Sequence, residues 1–160
     1  MYDWVSGRPR WRVTAPVSGL LGRCGPWLCV AYADGTAAVD PTNGQIRWQR
    51  SGALLSDGPG QPLVLHAFGT AAPSVTLVDP LTGRLLLELP GWTPLGGPGA
   101  GRQLATRWRD GRNQIIAVEL ASQRIHPVAQ TLVGADSCVT SGRLLACRTD
   151  AGKLTMWRLG

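Results

Sequence analysis

The sequence predicts an all-β fold made of about four repeated units, each a small antiparallel sheet. Three observations predict it: a motif that recurs about every 39 residues, a high content of turn-forming residues, and short alternating apolar runs. The chain has 21 glycines and 12 prolines among 160 residues. So many turn formers favour short strands over long helices, because each turn ends the element before it.

The repeat is clearest in the stretch VDPTNGQIRW, where an aspartate, a turn containing Thr and Gly, and a tryptophan four residues after the glycine follow one another. The motif steps are 37, 39, 40 and 38 residues long, ending at Trp157 in the aspartate slot. Such regular spacing indicates a repeat architecture. The residues in the three slots are Asp3, Gly7 and Trp11; Asp40, Gly44 and Trp48; Asp79, Gly83 and Leu87; and Glu119, Gln123 and Pro127.

Each unit is predicted to be a meander of four strands. A short apolar run, a glycine turn and a stronger run such as WLCVAYA come first, and a second turn falls at Asp34–Gly35 or Ala151–Gly152. An alternating strand, the Asp…Gly turn and a last strand complete the unit. Four such strands make one propeller blade, which must stack on its neighbours to cover its apolar faces. We therefore expect a β-propeller of about four blades in a single domain over residues 1–160.

The motif tryptophan is expected to lie between one blade and the next. The glycine turn lets the backbone come close enough for the indole of Trp48 to lie against it. In the first unit, the strand RPRWRV places Arg8, Arg10 and Arg12 on one face and Trp11 on the other. A row of charged side chains and a proline are typical of an outer edge strand.

The recurring Asp, Thr, Gly and Trp at this spacing resemble the blade motif of the quinoprotein-type, or PQQ-like, β-propellers. The WD-repeat family is less similar, because no Gly-His…Trp-Asp pair recurs. The resemblance covers the whole chain and implies that four units form half of an eight-bladed ring. Dehydrogenases of that family carry two adjacent linked cysteines and acidic residues around a calcium ion. This chain has no adjacent cysteines and few acidic residues outside turns, so we expect no cofactor, no metal and no catalytic residue.

The four cysteines form two local pairs, Cys24/Cys29 and Cys138/Cys147, each flanking the turn between the first two strands of a unit. In a hairpin centred on Gly142–Arg143, the second pair faces across the strands, and the first pair is expected to face across GPWL. Such neighbours lie near the upper end of the disulfide range. We predict two disulfides and an extracytoplasmic compartment. Unpaired thiols are the alternative, while a zinc site is disfavoured because C-x₂-C spacing is absent.

Composition excludes several function classes. The net charge of +6 is the balance of 15 arginines and one lysine against ten acidic residues, and the arginines are spread without a dense run. Scattered arginines are typical of solvent-facing positions, so we expect no nucleic-acid partner. The longest apolar runs are far shorter than the roughly 18 residues that span a bilayer, and no signal-peptide pattern opens the sequence. We expect no membrane insertion by this chain.

Few residues suggest chemistry. His66 lies in an apolar run and is predicted to be a core or edge histidine, and His126 adjoins a proline in a degenerate fourth strand. The glycine-rich stretch Gly96–Arg102 lacks the Lys-Ser/Thr ending of a phosphate loop and predicts a loop between blades. The stretch RWRDGR over Arg107–Arg112 is compatible with stacking on a base or sugar, but a strand running into an Asp-Gly turn is favoured.

Two hypotheses follow. The first is a non-catalytic binding, scaffold or sensor module within a larger extracytoplasmic protein; the second is a fragment of a quinone-dependent dehydrogenase. The last unit lacks a fourth strand, whereas the strand over residues 8–13 has no unit of its own. Either the chain closes as a four-bladed ring through these strands, or two half-rings meet in an eight-bladed assembly. We favour the second closure, with a homodimer or another half-propeller as the partner.

Overall fold

The structure is a computed structural model of the 160-residue chain. It describes residues 5–9, 11, 17–32, 35–56, 62–67, 73–95, 101–132, 137–141, 143–148 and 153–159. Within these ranges the chain forms fifteen β-strands. None of the described segments is a helix long and apolar enough to cross a lipid bilayer.

The strands form four antiparallel sheets in which neighbours in the sheet are also neighbours along the chain. This confirms the prediction of four antiparallel units, with three strands described in the last one. The first sheet contains β1 (Val17–Cys24), β2 (Trp27–Tyr32), β3 (Gly35–Val39) and β4 (Ile46–Ser51); the second, β5 (Ala53–Ser56), β6 (Leu63–Ala67), β7 (Ser74–Val78) and β8 (Leu85–Pro90); the third, β9 (Thr93–Pro94), β10 (Arg102–Arg109), β11 (Arg112–Glu119) and β12 (Ile125–Thr131); the fourth, β13 (Cys138–Ser141), β14 (Leu144–Arg148) and β15 (Leu154–Arg158).

Local turn chemistry explains the hairpin between β10 and β11. Arg109 pairs with Arg112, so Asp110 and Gly111 form the two-residue turn between them. Both turn residues have positive φ angles, 52° and 71°. Asp-Gly favours this turn because both residues adopt left-handed backbone at low cost. The stretch RWRDGR is therefore a strand running into an Asp-Gly turn, as the sequence predicted.

The chain divides into two compact units. One comprises Met1–Phe68 and Thr76–Leu86, and the other comprises Gly69–Val75 and Leu87–Gly160. Each has its own buried apolar cluster, built from alternate residues of its strands. The first cluster contains Cys24, Cys29, Ala38, Trp48, Leu63, Leu65 and Val78; the second contains Leu104, Ile115, Ala117, Leu145, Cys147 and Leu159.

Some local predictions are corrected or lie outside the described residues. Gly35 is the first residue of β3 and pairs with Tyr32, so it belongs to the strand and not to the turn predicted at Asp34–Gly35. A Cβ atom at Gly35 would collide with the backbone carbonyl of Arg50, which explains why glycine is needed there. Outside the described residues lie Asp3, Arg10, Arg12, Val13, the pair Ala151–Gly152 and residues 96–100 of the predicted glycine-rich loop; Arg102 itself opens β10.

Candidate functional site

The repeated motif forms a closed turn between the last two strands of a sheet. Asp40 follows β3, and its backbone N–H donates to the carbonyl of Gln45 at 2.8 Å, while the N–H of Gly44 donates back to the Asp40 carbonyl at 2.8 Å. One carboxylate oxygen, Oδ1, accepts from the backbone N–H of Thr42 at 2.8 Å and from its hydroxyl at 2.6 Å. The aspartate side chain thus holds the turn that starts β4.

The turn after β7 repeats this arrangement. The backbone N–H of Asp79 donates to the carbonyl of Arg84 at 2.9 Å, and that of Gly83 donates to the Asp79 carbonyl at 2.8 Å. Here Oδ1 accepts two backbone N–H groups, from Leu81 at 2.8 Å and from Thr82 at 2.9 Å. The sequence repeat is therefore a structural repeat in its two backbone hydrogen bonds and in the bond to Oδ1 from the N–H two positions after the aspartate.

Both aspartates are held in the ionised form. The hydroxyl of Thr42, followed by the guanidinium of Arg47, lowers the pKa of Asp40 from 3.8 to about 2. The pKa of Asp79 is lowered chiefly by the backbone N–H of Thr82. Hydrogen bonds to a carboxylate stabilise its charged form, so these acids remain anionic at neutral pH. Their charge is used to fix the turns.

Each motif tryptophan contacts the turn of the next motif. The indole N–H of Trp11 donates to the carbonyl of Pro41 at 2.9 Å. A Cβ atom added to Gly44, whose φ is +78°, would lie 2.7 Å from the Trp11 ring. The ring therefore lies directly on the glycine backbone, and no larger residue fits beneath it.

The same docking occurs one unit later and is more deeply buried. Trp48 is 8% exposed, and its indole N–H donates to the carbonyl of Pro80 at 3.0 Å. A Cβ atom on Gly83 would lie 2.6 Å from Cγ of this ring. The expected contact between an indole and a glycine turn is thus present at both positions.

Three side chains of the first sheet hold the Asp79 turn. Besides Trp48, the indole N–H of Trp27 donates to the carbonyl of Leu81 at 3.0 Å, and Nε of Arg50 donates to that of Gly83 at 2.7 Å. Trp48 and Arg50 reach the same turn because residues two apart on a strand share a face. We call these three donors the turn clamp; it satisfies three carbonyls of one loop.

Arg47 connects the turn clamp to the preceding motif. Its guanidinium pairs with the carboxylate of Asp40 and lies 5.1 Å from the ring centroid of Trp27. Such cation–π contacts orient both groups. One arginine therefore links the aspartate of one motif to a donor that holds the next motif's turn.

The turn of the fourth motif, between β11 and β12, forms without the motif's glycine. The backbone N–H of Glu119 donates to the carbonyl of Arg124 at 2.9 Å, as the second and third motifs do at this position. Gln123 occupies the glycine slot with a φ of 57°, and the hydroxyl of Ser122 donates to Glu119 at 2.8 Å. Pro127, in the tryptophan slot, is exposed. The backbone hydrogen bond from the acidic residue thus forms without an indole on the turn.

The cysteines lie in their predicted pairs, with one correction of register. Cys138 directly faces Cys147, as predicted, with Cα atoms 4.0 Å apart. Cys24 instead faces Trp27, so the prediction that it directly faces Cys29 is wrong. The reason is a two-residue turn, Gly25 and Pro26, which sets Cys29 diagonally across at 5.4 Å between Cα atoms. Both pairs remain at disulfide distance, within separate hairpins.

The two histidines occupy different environments. His66 lies in β6 and is 3% exposed, in agreement with a buried strand histidine, and burial lowers its pKa. His126 is exposed on β12, with Nε2 3.5 Å from Glu119. Among the described residues no three His, Cys, Asp or Glu side chains converge on a position for a metal ion.

Sequence reasoning missed Trp27 and Arg50. Neither belongs to the motif slots, yet both donate to the Asp79 turn. Trp27 stands just after the Gly-Pro turn, and Arg50 stands two residues after a motif tryptophan. Only the second position carried a usable signal, because strand periodicity places Arg50 on the same face as Trp48.

No family model and no curated protein matches the chain. In structure, the chain is similar to the 1.18 Å crystal structure of uncharacterized protein lmo1340 from Listeria monocytogenes. The TM-score is 0.54 at 9% sequence identity, over 91% of this chain. The matched region is 51% of the other chain, so this chain spans about half the length of that neighbour. At this identity the likeness concerns the fold alone.

Proposed function

We propose that the chain is a non-catalytic binding or scaffold module made of PQQ-like β-propeller blades, within a larger extracytoplasmic protein. The observation that carries the proposal is the docking of each motif tryptophan on the glycine turn of the next motif, Trp11 on Gly44 and Trp48 on Gly83. A repeat protein needs this relation between successive units, because one blade alone leaves its faces uncovered. The motif residues thereby serve to join successive units.

The competing hypothesis is a fragment of a quinone-dependent dehydrogenase. It requires acidic residues that bind calcium and adjacent cysteines that form a disulfide. The carboxylates of Asp40 and Asp79 are engaged by their own turns, which supports a structural role over a calcium-binding one. The cysteines pair across separate hairpins, whereas the dehydrogenases use adjacent cysteines. Both observations favour the scaffold.

A cofactor titration separates the two hypotheses. Pyrroloquinoline quinone would be titrated calorimetrically into the folded chain with calcium present, and reduction of an artificial electron-acceptor dye would then be measured with alcohols and sugars. We expect neither saturable binding nor dye reduction. One-to-one binding together with substrate-dependent dye reduction would overturn the scaffold proposal and establish the dehydrogenase fragment.

An oxidising compartment is proposed from the two cysteine pairs, since disulfides persist mainly outside the cytoplasm. Peptide mapping without reductant should link Cys24 to Cys29 and Cys138 to Cys147. A thiol-reactive label should then find no reactive cysteine. Four labelled thiols, or crossed linkages, in protein taken from its native compartment would contradict the proposal.

The last sheet supports a partner in the form of a second half-propeller. Val139, Ala146 and Met156 pair across β13, β14 and β15 and share a face, on which Val139 is 68% and Met156 is 62% exposed. Leu154, on the same face, is 62% exposed. Apolar patches of this kind usually mark an interface. The proposed occupant is the corresponding sheet of a second copy.

Light scattering tests this assembly. The unmodified chain should scatter as a dimer, and Met156→Glu should return it to a monomer near 17.0 kDa. Glu88→Lys, an exposed change on β8, is the control and should leave the dimer intact. A soluble monomer before any substitution would remove the basis for two half-rings.

A further inference from the structure

The third sheet carries an open cavity, a surface groove of about 450 Å³. It lies within the second compact unit, against β10, β11 and β12. Its volume falls in the range of small-molecule sites, and its lining combines one cation and two amides with an apolar wall. The residues used below are Arg107, Gln114, Gln130, Ile116, Pro127 and Val128.

Arg107 is held in place by two neighbours. Its guanidinium lies 4.5 Å from the ring centroid of Trp92, and that ring is itself only 8% exposed. Its Nε donates to Oε1 of Gln114 at 2.9 Å. Both contacts restrict where the guanidinium can lie. An arginine ordered in advance loses less entropy when it binds a ligand.

The terminal nitrogens of Arg107 have no carboxylate partner among the described residues. Ion pairs to carboxylates do occur there at Arg47, Arg102 and Arg109. The structure thus holds a positioned cation, part of a cavity wall, whose charge no described acidic side chain neutralises. Arg107 is half-buried, so an anion that enters the cavity would meet its terminal nitrogens.

Strand register places the polar groups in one row and the apolar groups in the next. Gln114 pairs with Arg107 on one side and with Gln130 on the other. Two residues further along β11, Ile116 pairs with Pro127. The cavity therefore offers hydrogen-bond donors at one end and an apolar wall, continued by Val128, beside them.

We propose that this cavity binds a small organic carboxylate with an apolar body. A carboxylate matches the planar fork of Arg107 with two parallel charge-assisted hydrogen bonds. The amide N–H groups of Gln114 and Gln130 are additional donors for the same oxygens, and the apolar body lies along Ile116 and Pro127. The inference rests on the proposed binding function, for which it names a class of ligand.

Matched pairs of probes test the charge requirement. Hexanoate and benzoate would be compared with hexanamide and benzamide by calorimetry and by saturation-transfer NMR. We expect saturable binding of at least one carboxylate and at least about tenfold weaker binding of its amide, since a charged partner roughly doubles hydrogen-bond strength. Inorganic phosphate, which lacks an apolar body, should also bind at least about tenfold more weakly, because burial of apolar surface contributes to affinity.

Two variants locate the site. Arg107→Gln should weaken carboxylate binding by about tenfold or more. Arg109→Gln, an exposed arginine on the same strand, should leave it unchanged. If Arg107→Gln does not fold, Gln130→Leu at an exposed position of β12 should still lower affinity about threefold through one lost donor.

Three results would overturn the inference. These are equal affinity for a carboxylate and its amide, unchanged affinity in a folded Arg107→Gln or Gln130→Leu variant, or no binding of any carboxylate up to about 10 mM, a concentration at which only very weak complexes escape detection. None of these results changes the outcome of the cofactor titration or the observed docking of the tryptophans. Failure here is therefore distinguishable from failure of the scaffold proposal.

Discussion

The Asp79 turn and the Glu119 turn share one backbone hydrogen bond and a left-handed residue, but they differ in sequence. In both, the N–H of the acidic residue donates at 2.9 Å to the carbonyl five positions later. In both, the residue four positions after the acid has a positive φ, 67° at Gly83 and 57° at Gln123. Yet one is a glycine beneath an indole, and the other is an exposed glutamine.

The comparison distinguishes two reasons for the motif glycine, its left-handed backbone and the close approach of an indole. Left-handed backbone alone costs a non-glycine residue about 1–2 kcal/mol, and Gln123 shows that the fold tolerates it. Close approach of an indole excludes any Cβ atom, as the 2.6 Å distance at Gly83 shows. Where the preceding unit has Leu87 in place of tryptophan, the next glycine is also replaced. Gly and Trp thus form one docking pair.

Removing the indole should have the largest effect. Trp48→Ala should lower the free energy of unfolding by about 3–5 kcal/mol, because a buried aromatic ring leaves a cavity. Its hydrogen bond to Pro80 is lost as well. Denaturant titration measures the change, and Trp108→Ala, at a ring 59% exposed, is the control with an expected change below about 0.5 kcal/mol. A loss below about 1 kcal/mol for Trp48→Ala would contradict the docking role.

Adding a Cβ atom beneath the indole should have the next largest effect. Gly83→Ala combines left-handed strain with overpacking against Trp48, and should cost about 2–4 kcal/mol. Gly111→Ala is the matched control, because Gly111 has a φ of +71° with no atom within 4 Å of an added Cβ. It should cost only the strain, about 1–2 kcal/mol. Equal losses would show that the indole does not require glycine.

A double substitution sharpens this result. In Trp48→Ala the ring that collides with an added Cβ is gone, so Gly83→Ala in that background should cost no more than Gly111→Ala. The coupling free energy isolates the Trp–Gly pair from the backbone strain. Strictly additive losses would place the cost of Gly83→Ala elsewhere than in the indole contact.

The sequence predicted the sheets well because their signals are local. Alternation, Gly and Pro turns and the Asp…Gly spacing each act over a few residues, so the four units and the Cys138/Cys147 register follow from them. It failed where the length of a turn sets the strand register, as between Cys24 and Cys29. The same sequence is compatible with a two-residue turn and with a longer one. It also missed the contacts of Trp27 with Leu81 and of Arg107 with Trp92, because these partners are far apart in sequence and leave no spacing signal.

Lowering the pH should reduce the stabilising contribution of Asp40 more than that of Glu119. The folded pKa of Asp40, about 2, lies below its ordinary 3.8, so this residue stabilises the fold above pH 3.8 and loses that contribution as the pH falls toward 2. Asp40→Asn should flatten the stability curve between these values. Glu119 has its pKa lowered chiefly by the Ser122 hydroxyl on an exposed turn, so Glu119→Gln should flatten it less. Urea unfolding at stepwise pH tests this order, and a larger effect at Glu119 would contradict it.

The smallest effect, and opposite in sign, is expected from restoring glycine to the fourth turn. Gln123→Gly relieves left-handed strain of about 1–2 kcal/mol but makes the unfolded chain more flexible at a cost of about 0.4–1 kcal/mol. The free energy of unfolding should therefore rise by about 1 kcal/mol or less, measured by denaturant titration beside Gly83→Ala. If Gln123→Gly instead lowers the free energy of unfolding by more than about 1 kcal/mol, the Gln123 side chain makes a stabilising contact. That contact, and not the absence of a tryptophan, would then explain why glutamine stands at this position.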